Sequence, residues 1–317
     1  MTRPLRIATR ASELALRRAR SVQAMLAALQ IESELVPFKT EGDKHFEEPL
    51  QPTSARALFT HELDTALLKK KADMAVHAFP DVPTDPAPGL AIAAVLVRED
   101  PRDVLVLNSL FEGTSLGALP RGTRVGTSSL RCRGLLAAMF PDLEVVHLRG
   151  DLPTRLRKVD DGQVHATIVS AAALQRLEVS QRIAGYLDAP LWIPVPGQGA
   201  TVIQVREGDA LAEAVGPLND ERTAIDTAAE RALLASLEGG LQSPVSALVV
   251  ASGGVRVLHA AIVDPQGRHL LRGEHVLDDQ QPELTGVRLA NDLRTRGASR
   301  ILDGVRGAAR VPTPQPD

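Results

Sequence analysis

The strongest constraint on the fold is the alternation of short apolar runs with helical patterns through the first two-thirds of the 317-residue chain. The apolar runs cover residues 5–8, 35–38, 73–78, 90–97, 103–107, 124–126, 143–148 and 166–171. Between them, apolar side chains recur at helical spacing, and the first helix is expected to begin after Ser12 as its N-cap and to reach about Leu29. Strands separated by helices predict parallel sheets in a doubly wound α/β architecture.

The last third of the chain has a different pattern. A helix is predicted over residues 223–237, and Gly239-Gly240 ends it because glycine tolerates the left-handed conformation. Apolar runs at 245–251, 255–263 and 269–275 are separated by turn sequences and predict an antiparallel meander. A final helix is expected over 282–293, followed by a proline-rich tail that is predicted to be disordered from about residue 311. The whole pattern predicts two α/β domains and a small C-terminal α+β domain.

Composition excludes several classes of protein. The chain has one cysteine, Cys132, so an internal disulfide framework and a multi-cysteine metal site are excluded. A net charge of −3 with 3% aromatic residues disfavours a nucleic-acid partner. The histidines lack metal-ligand spacing, so no metal is expected. No apolar run approaches the ~20 residues of a membrane span, and the first residues lack the apolar region of a secretory signal. The sequence therefore predicts a cytoplasmic protein without a membrane partner.

Polar side chains follow the predicted strands, which is where parallel α/β sheets bind their ligands. The candidates are Arg10 and Ser12 after the first strand, Asp81 after the third, Thr127, Ser128, Ser129 and Arg131 after residues 124–126, and Arg149, Arg155 and Arg176 farther along. Because Arg binds carboxylates bidentately, this layout predicts a cleft for a ligand with several carboxylates. Any single arginine of the set is also explained as a surface residue or a salt bridge.

Two further residues in this region have competing interpretations. Asp81 either caps a turn or lies among arginines and stabilises a developing positive charge. Prolines on both sides stiffen its loop. His77, close by in sequence, is expected to be a buried histidine with a satisfied hydrogen bond rather than a catalyst.

These motifs together closely resemble the porphobilinogen deaminase family, also called hydroxymethylbilane synthase. The resemblance rests on Arg6-Ile7-Ala8-Thr9-Arg10, Leu58-Phe59, His77 with Asp81-Val82-Pro83, Arg98-Glu99-Asp100-Pro101-Arg102-Asp103, Gly126-Thr127-Ser128-Ser129-Leu130-Arg131, Leu148-Arg149-Gly150 with Thr154-Arg155-Leu156, Pro196-Gly197-Gln198-Gly199-Ala200, Ala229-Glu230-Arg231 and Leu237-Glu238-Gly239-Gly240. It covers almost the whole chain, and the set is highly specific.

The resemblance implies three domains, of which the first two are arranged like a periplasmic binding protein. Domain 1 would cover residues 1–98 and 199–218, domain 2 residues 99–198, and domain 3 residues 219–317. The family condenses four porphobilinogens head to tail in tetrapyrrole biosynthesis and releases ammonia at each step. Asp81 matches its catalytic aspartate, which would stabilise the cationic pyrrole intermediate. The resemblance assigns binding of acetate and propionate groups to Arg10, Ser12, Ser129, Arg131, Arg149, Arg155 and Arg176, and we add Arg56, Thr127, Ser128 and Gln198 as binding candidates.

The chain departs from the family at its cofactor site. The family attaches a dipyrromethane primer through a cysteine directly after Gly-Gly, where this chain has Leu241. The family's lysine before the aspartate is Pro80, and the arginine expected after Arg131 is Cys132. In the lid at residues 51–57, only Arg56 is charged. No covalent cofactor is therefore predicted.

Three functional hypotheses follow from these departures. The first is a working deaminase whose primer is held otherwise; Cys132 is a candidate anchor, because a thiol in the first turn of a helix has a lowered pKa, although a small buried hydrophobic residue is the competing interpretation. The second is a divergent enzyme that acts on porphobilinogen, another pyrrole or a polycarboxylate without a covalent primer. The third is a non-catalytic protein that binds carboxylates. A monomer that acts on a small molecule is expected in each case.

Overall fold

The computed structural model describes residues 3–44, 57–111, 113–240 and 243–308. Its first sheet has the strand order β2 (Ser33–Phe38), β1 (Leu5–Arg10), β3 (Met74–Ala78), β10 (Thr201–Arg206) and β4 (Leu90–Val95). Strand β1 is parallel to β2 and β3, whereas β10 is antiparallel to both of its neighbours. Helices α1 (Glu13–Ala28), α2 (Glu41–Lys44), α3 (His61–Leu68) and α7 (Leu211–Val215) accompany this sheet.

The second sheet repeats this topology with different segments. Its order is β7 (Glu144–His147), β6 (Arg124–Thr127), β8 (Ala166–Ser170), β5 (Asp103–Leu107) and β9 (Gly185–Leu187). Here β5 is the antiparallel strand, paired with β8 and β9. The accompanying helices are α4 (Leu130–Met139), α5 (Leu152–Asp160) and α6 (Ala171–Arg176).

The prediction of parallel sheets is wrong for the strands that follow the two crossovers between the sheets. The first residue of β10, Thr201, pairs with Ala78 at the carboxyl end of β3. In the other sheet, the first residue of β5, Asp103, pairs with Ser170 at the carboxyl end of β8. Because each crossing segment enters the new sheet at the carboxyl ends of its parallel strands, the entering strand must run in the opposite direction. The crossovers therefore lie at the ends of the sheets where the candidate residues are.

The third unit is the predicted antiparallel meander with its helices. Strands β11 (Val245–Ser252), β12 (Val255–Val263) and β13 (Leu270–Val276) form it, and α8 (Glu221–Ser236), α9 (Pro282–Thr295) and α10 (Ala298–Ala308) cover it. Buried side chains from α8, α9, α10 and the strands form one core cluster. Helix α10 was not predicted; Gly297, whose φ is +103°, separates it from α9. The predicted disordered tail from residue 311 lies outside the described residues.

The expected architecture of two α/β units and a small α+β unit is confirmed. Helix α7, which follows β10, packs Leu211 and Val215 into the same core as Leu5 and Ile7 of β1. The chain thus returns to the first sheet after the second one is complete. The exact boundaries 1–98 with 199–218, 99–198 and 219–317 stay predictions.

Candidate functional site

Asp81 lies in a short loop at the carboxyl end of β3 that helix α8 holds in place. The loop is a single 3-10 turn, Phe79–Asp81, with a proline inside it. From α8, Arg231 donates hydrogen bonds to the carbonyl oxygens of Phe79 (3.3 Å), Val82 (2.9 Å) and Pro83 (2.7 Å). Its guanidinium carbon also lies 4.3 Å from the centroid of the Phe79 ring. Burial lowers the pKa of Arg231 to about 10. The third unit therefore positions a loop of the first.

Arg10 ends β1 and binds two carboxylates at once. Its Nη1 lies 3.3 Å from Oδ2 of Asp81, and its Nη2 lies 2.5 Å from Oδ1 of Asp43. The guanidinium carbon lies 4.0 Å from the centroid of the Phe59 ring. Although burial opposes the ionised form of Asp43, hydrogen bonds from Arg10 and Thr40 hold its pKa below the usual range. Arg10 thus fixes the position of the Asp81 carboxylate, and a ligand carboxylate at Arg10 would compete with these partners.

Arg18 is a cation of this site that sequence reasoning missed. It follows Leu14 by one turn of α1, and Leu14 packs against the core of the second sheet. The Nε of Arg18 is out of reach of solvent and has no hydrogen-bond partner in the described parts of the chain. Burial, and secondly repulsion from Arg176, lower the pKa of Arg18 to about 9, against an opposing effect of the Asp81 carboxylate. The sequence signal that could have identified Arg18 is its position on the inward face of α1, a helix that begins just after strand β1.

Arg176 closes the site from the second sheet. It forms an ion pair with Glu99, which lies in the first crossover, and its Nη2 is 3.5 Å from Oγ1 of Thr201 in β10. Its carbonyl oxygen accepts a hydrogen bond of 3.2 Å from Arg17 of α1. The structure therefore brings together four of the residues around Asp81, namely Arg10, Arg18, Arg176 and Glu99.

Arg149 and Arg155 lie at the carboxyl end of β7 and in the first part of α5. Nε of Arg155 donates to the carbonyl oxygen of Gly150 at 2.9 Å. Within the ranges that the structure describes, Arg155 has no carboxylate partner. Burial lowers the pKa of both arginines. A partly buried guanidinium without a counter-charge is stabilised by an anionic ligand, so Arg155 fits the predicted role.

The predicted hydroxyl groups serve first as helix caps. Ser12 accepts from the backbone N–H of Ala15 at 3.4 Å, which confirms the expected N-cap of α1. Ser129 accepts from the N–H of Cys132 at 3.3 Å and caps α4. Thr127 Oγ1 accepts from the N–H of Ser129 at 3.1 Å. Ser128, between them, lines a large groove described below.

Two residues that were predicted to contact the ligand, Arg131 and Gln198, form hydrogen bonds that hold the second crossover to β5. Arg131 is buried, and it donates to the carboxylate of Asp103 at 2.7 Å and to the carbonyl oxygen of Ile193 at 3.0 Å. The same carboxylate accepts from Nε1 of Trp192 at 2.8 Å and from Nε2 of Gln198 at 2.9 Å. These contacts join the start of β5 to the second crossover. Ligand binding by Arg131 and Gln198 stays a prediction. In this structure both side chains donate hydrogen bonds to the carboxylate of Asp103.

The expected lowering of the Cys132 pKa is wrong. The thiol is 3% exposed and packs in the core of the second sheet. Burial raises its pKa, and this effect outweighs the nearby guanidinium of Arg131. A helix N-terminus favours a thiolate only where the sulfur retains some contact with solvent. The interpretation of Cys132 as a small buried hydrophobic residue fits the structure.

His77 also has the structural role that was expected. It is buried in β3, and its Nε2 lies 3.0 Å from Oε1 of Gln204 in β10. Burial lowers the pKa of His77 to about 4. The ring is therefore neutral at physiological pH.

Two further predicted positions, Arg56 and Leu241, lie outside the described residues. In the parts of the chain that are described, no group of His, Cys, Asp and Glu is arranged to hold a metal ion. No helix there is long and apolar enough to cross a membrane.

Comparison with known proteins shows one strong relationship. The sequence profile of a family described as "Porphobilinogen deaminase, dipyromethane cofactor binding domain" matches residues 5–214. A porphobilinogen deaminase of Syntrophotalea carbinolica is 40% identical over 301 residues, which cover 94% of this chain and 95% of that protein.

Similar solved structures are more distant. The VFT2 domain of BvgS from Bordetella pertussis is 18% identical with a TM-score of 0.39, over 67% of this chain and 84% of that one. An arginine-specific periplasmic binding protein of Salmonella typhimurium is 14% identical with a TM-score of 0.39, over 70% of this chain and 94% of that one.

Proposed function

The chain belongs to the porphobilinogen deaminase family, and from this membership we propose that it removes ammonia from porphobilinogen and joins the pyrroles head to tail. The enzyme class is a transferase of the hydroxymethylbilane synthase type, which acts in tetrapyrrole biosynthesis. A cytoplasmic location and a monomeric state are part of the same proposal.

The placement of the Asp81 carboxylate is the observation that carries this proposal. Its Oδ2 lies 3.3 Å from Arg10, at the carboxyl end of β3, in a loop that Arg231 fixes. When the C–N bond of the ammonium form of porphobilinogen breaks, ammonia leaves with the electron pair and the remaining methylene carbon is cationic. A preorganised carboxylate stabilises this charge without having to reorganise. The cation then accepts electrons from a ring carbon of the next pyrrole, which finally loses its proton.

The arginines support the same substrate class. Porphobilinogen and its oligomers carry carboxylates on every ring. Arg18 and Arg155 present guanidinium groups that have no carboxylate partner in the described segments. Charge-assisted bonds to such groups contribute about 1.5–3 kcal/mol each. These two residues would orient rings relative to Asp81.

The residues of this chain suit the carboxylates of the family's dipyrromethane cofactor but not its covalent attachment. The arginines suit its carboxylates, but a thioether needs a sulfur nucleophile, and leucine at position 241 has none. The chain's sole thiol, Cys132, is buried and has a raised pKa. We therefore propose that the protein handles its primer without a covalent bond. The retained Asp81 site, together with this missing attachment, also supports the second hypothesis of a divergent enzyme on a related pyrrole or polycarboxylate.

Two measurements on one incubation with porphobilinogen separate the hypotheses. Release of ammonia together with a linear tetrapyrrole supports the deaminase. Release of ammonia without a tetrapyrrole supports the divergent enzyme. If porphobilinogen binds and neither product forms, the protein is a carboxylate binder and the proposed function is wrong.

The proposed primer handling makes a prediction about mass. Protein expressed with excess porphobilinogen and measured by intact-mass spectrometry under denaturing conditions should have the mass of the polypeptide alone. An added mass of two linked pyrroles would contradict it. Loss of that mass in Cys132→Ser would then identify the anchor, whereas its persistence would point to another nucleophile.

A further inference from the structure

A large groove lies apart from Asp81, between the second sheet and the third unit. This groove has a volume of about 1010 Å³. Residues 127–130 and β7 form one wall, and residues 264–269 with α10 form the other. The groove includes Thr127, Ser128, Ser129 and Arg149, which are binding candidates of the proposed function. Its remaining lining has no assigned function.

The groove is strongly cationic in a chain whose net charge is −3. Its ionised lining consists of one acidic residue, Asp264, and five arginines, which are Arg133, Arg149, Arg268, Arg296 and Arg300. Asp264 lies 3.7 Å from Arg268. In the described ranges, no carboxylate pairs with Arg133, Arg296 or Arg300.

The groove arginines differ from those arginines of the chain that form ion pairs. Outside the groove, Arg102 pairs with Asp100 and Asp188, and Arg182 pairs with Asp160. Arg18 and Arg155 are like the groove arginines in having no carboxylate partner within the described residues. Arginines from α4, the α9–α10 junction and α10 together line the groove, and none of the three pairs with a carboxylate within the described residues. Converging like charges repel one another, so an anionic ligand would stabilise the arrangement.

The floor of the groove indicates what kind of anion it suits. Apolar side chains line it, namely Leu130, Val145, Val146, Leu271, Ile301 and Val305. A small hydrophilic anion such as phosphate gains nothing from such a surface, whereas flat rings bury area against it. The volume is at the upper end of the range for sites that bury a drug-sized ligand, about 300–1,000 Å³, so it has room for several rings.

We propose that this groove binds an oligopyrrole chain through the carboxylates on its rings. The inference rests on the proposed function and adds a second, non-covalent binding surface for the growing chain or the product. The apolar floor would contact the rings, and Arg133, Arg296 and Arg300 would bind the carboxylates. A protein without the thioether anchor needs such a surface to keep the chain bound between additions.

Binding is testable without turnover. Uroporphyrin, a fluorescent tetrapyrrole octacarboxylate, would be titrated against the protein by fluorescence anisotropy. Arg296→Ala/Arg300→Ala should weaken its binding by about ten-fold or more, since two charge-assisted contacts are lost. Arg133→Ala, on a different helix, should weaken it in the same direction. Arg121→Ala/Arg288→Ala removes the same net charge from exposed arginines outside the groove and should leave the affinity unchanged.

Two further ligands test the chemistry. Mesoporphyrin, which has the same ring system and only two carboxylates, should bind at least about ten-fold more weakly than uroporphyrin. Tripolyphosphate should compete poorly with uroporphyrin, because it has no apolar surface to bury against the apolar side chains of the groove. The proposal would be overturned if the groove variants and the control variant bound uroporphyrin with equal affinity. It would also be overturned if tripolyphosphate competed with an affinity equal to that of uroporphyrin.

The outcome is separable from that of the proposed function. If ammonia is released but substitution of Arg133, Arg296 and Arg300 does not change the affinity for uroporphyrin, the groove proposal fails and the deaminase proposal stands. If uroporphyrin binding depends on these arginines and no ammonia is released, the groove binds polycarboxylates and the deaminase proposal fails.

Discussion

At the scale of single residues, the chemistry depends on the carboxylate of Asp81. Asp81→Asn keeps the shape of the side chain and removes its charge, so stabilisation of the cationic intermediate is lost. Removing one preorganised electrostatic contact typically lowers kcat by about 10²–10³-fold, and we expect at least that loss in ammonia release. The melting temperature should change little. Asp85→Asn, a few residues away on an exposed loop, is the matched control. A near wild-type rate for Asp81→Asn would show that the catalytic assignment is wrong.

Substitution of Arg18 should affect substrate binding and protein stability in different ways. Arg18→Gln removes a charge whose guanidinium Nε is buried and which forms no ion pair within the described residues. Burial of such a charge costs free energy in the folded protein. The melting temperature should therefore stay equal or rise, whereas KM for porphobilinogen should rise about ten-fold because a carboxylate contact is lost. Arg20→Gln, exposed on the same helix, should alter neither quantity. A lower melting temperature with an unchanged KM would mean that Arg18 is structural.

At the scale of elements, α8 acts on the Asp81 loop through Arg231. This is a positioning role, because the contacts of Arg231 within the described residues are with the backbone of residues 79, 82 and 83 and with the ring of Phe79. Arg231→Leu should lower kcat by about ten-fold or more with a smaller change in KM, because displaced catalytic groups lose transition-state stabilisation.

Hydrogen exchange distinguishes this role from a general loss of stability. Amides of residues 79–83 should exchange faster in Arg231→Leu, while those of β11 and β12 should not. Arg222→Leu, exposed on the same helix, serves as the control. Unchanged exchange in the loop together with a lower kcat would contradict the positioning role.

The elements also show where local patterns were sufficient. The patterns predicted nearly all strands and the long helices, because burial of one face imposes a period of two or 3.6 on the sequence. They missed α10, because Gly297 interrupts the helical pattern after α9. They also missed strand β10 itself and the direction of β5, and the direction of both strands depends on where the crossovers enter each sheet.

At the scale of the whole molecule, a buried carboxylate joins all three units. Glu230 of α8 is fully buried and binds Arg98 through two hydrogen bonds of 2.7 and 2.9 Å. It also accepts from the backbone N–H of Gly197 in the second crossover and of Val249 in β11. Arg98 and Glu230, which both belong to the motifs on which the resemblance rests, thus hold the crossovers against the third unit.

The stability of the molecule should depend on pH through His77. Its pKa is about 4 in the folded protein against an ordinary value of 6.5, so the unfolded chain binds the proton more tightly. This contribution to stability is fully present above pH 6.5 and is lost as the pH falls toward 4, by at most about 3 kcal/mol. Urea unfolding of wild type and His77→Gln between pH 4 and 7 should show a shallower decline in the variant. Parallel curves would contradict the assignment.

The sequence by itself determined the element pattern, the residue types at the strand ends and the chemistry of position 241, where no sulfur is present. Each of these is a local property that can be read from spacing or from the side chain itself. Only the tertiary structure decided which arginines are already paired, as Arg131 is with Asp103, and which have no carboxylate partner within the described residues, as is the case for Arg18. It also decided that Cys132 is buried and has a raised pKa. The reason is physical: the charge state and availability of a group depend on its burial and on neighbours far away in the chain, and no local pattern encodes those neighbours.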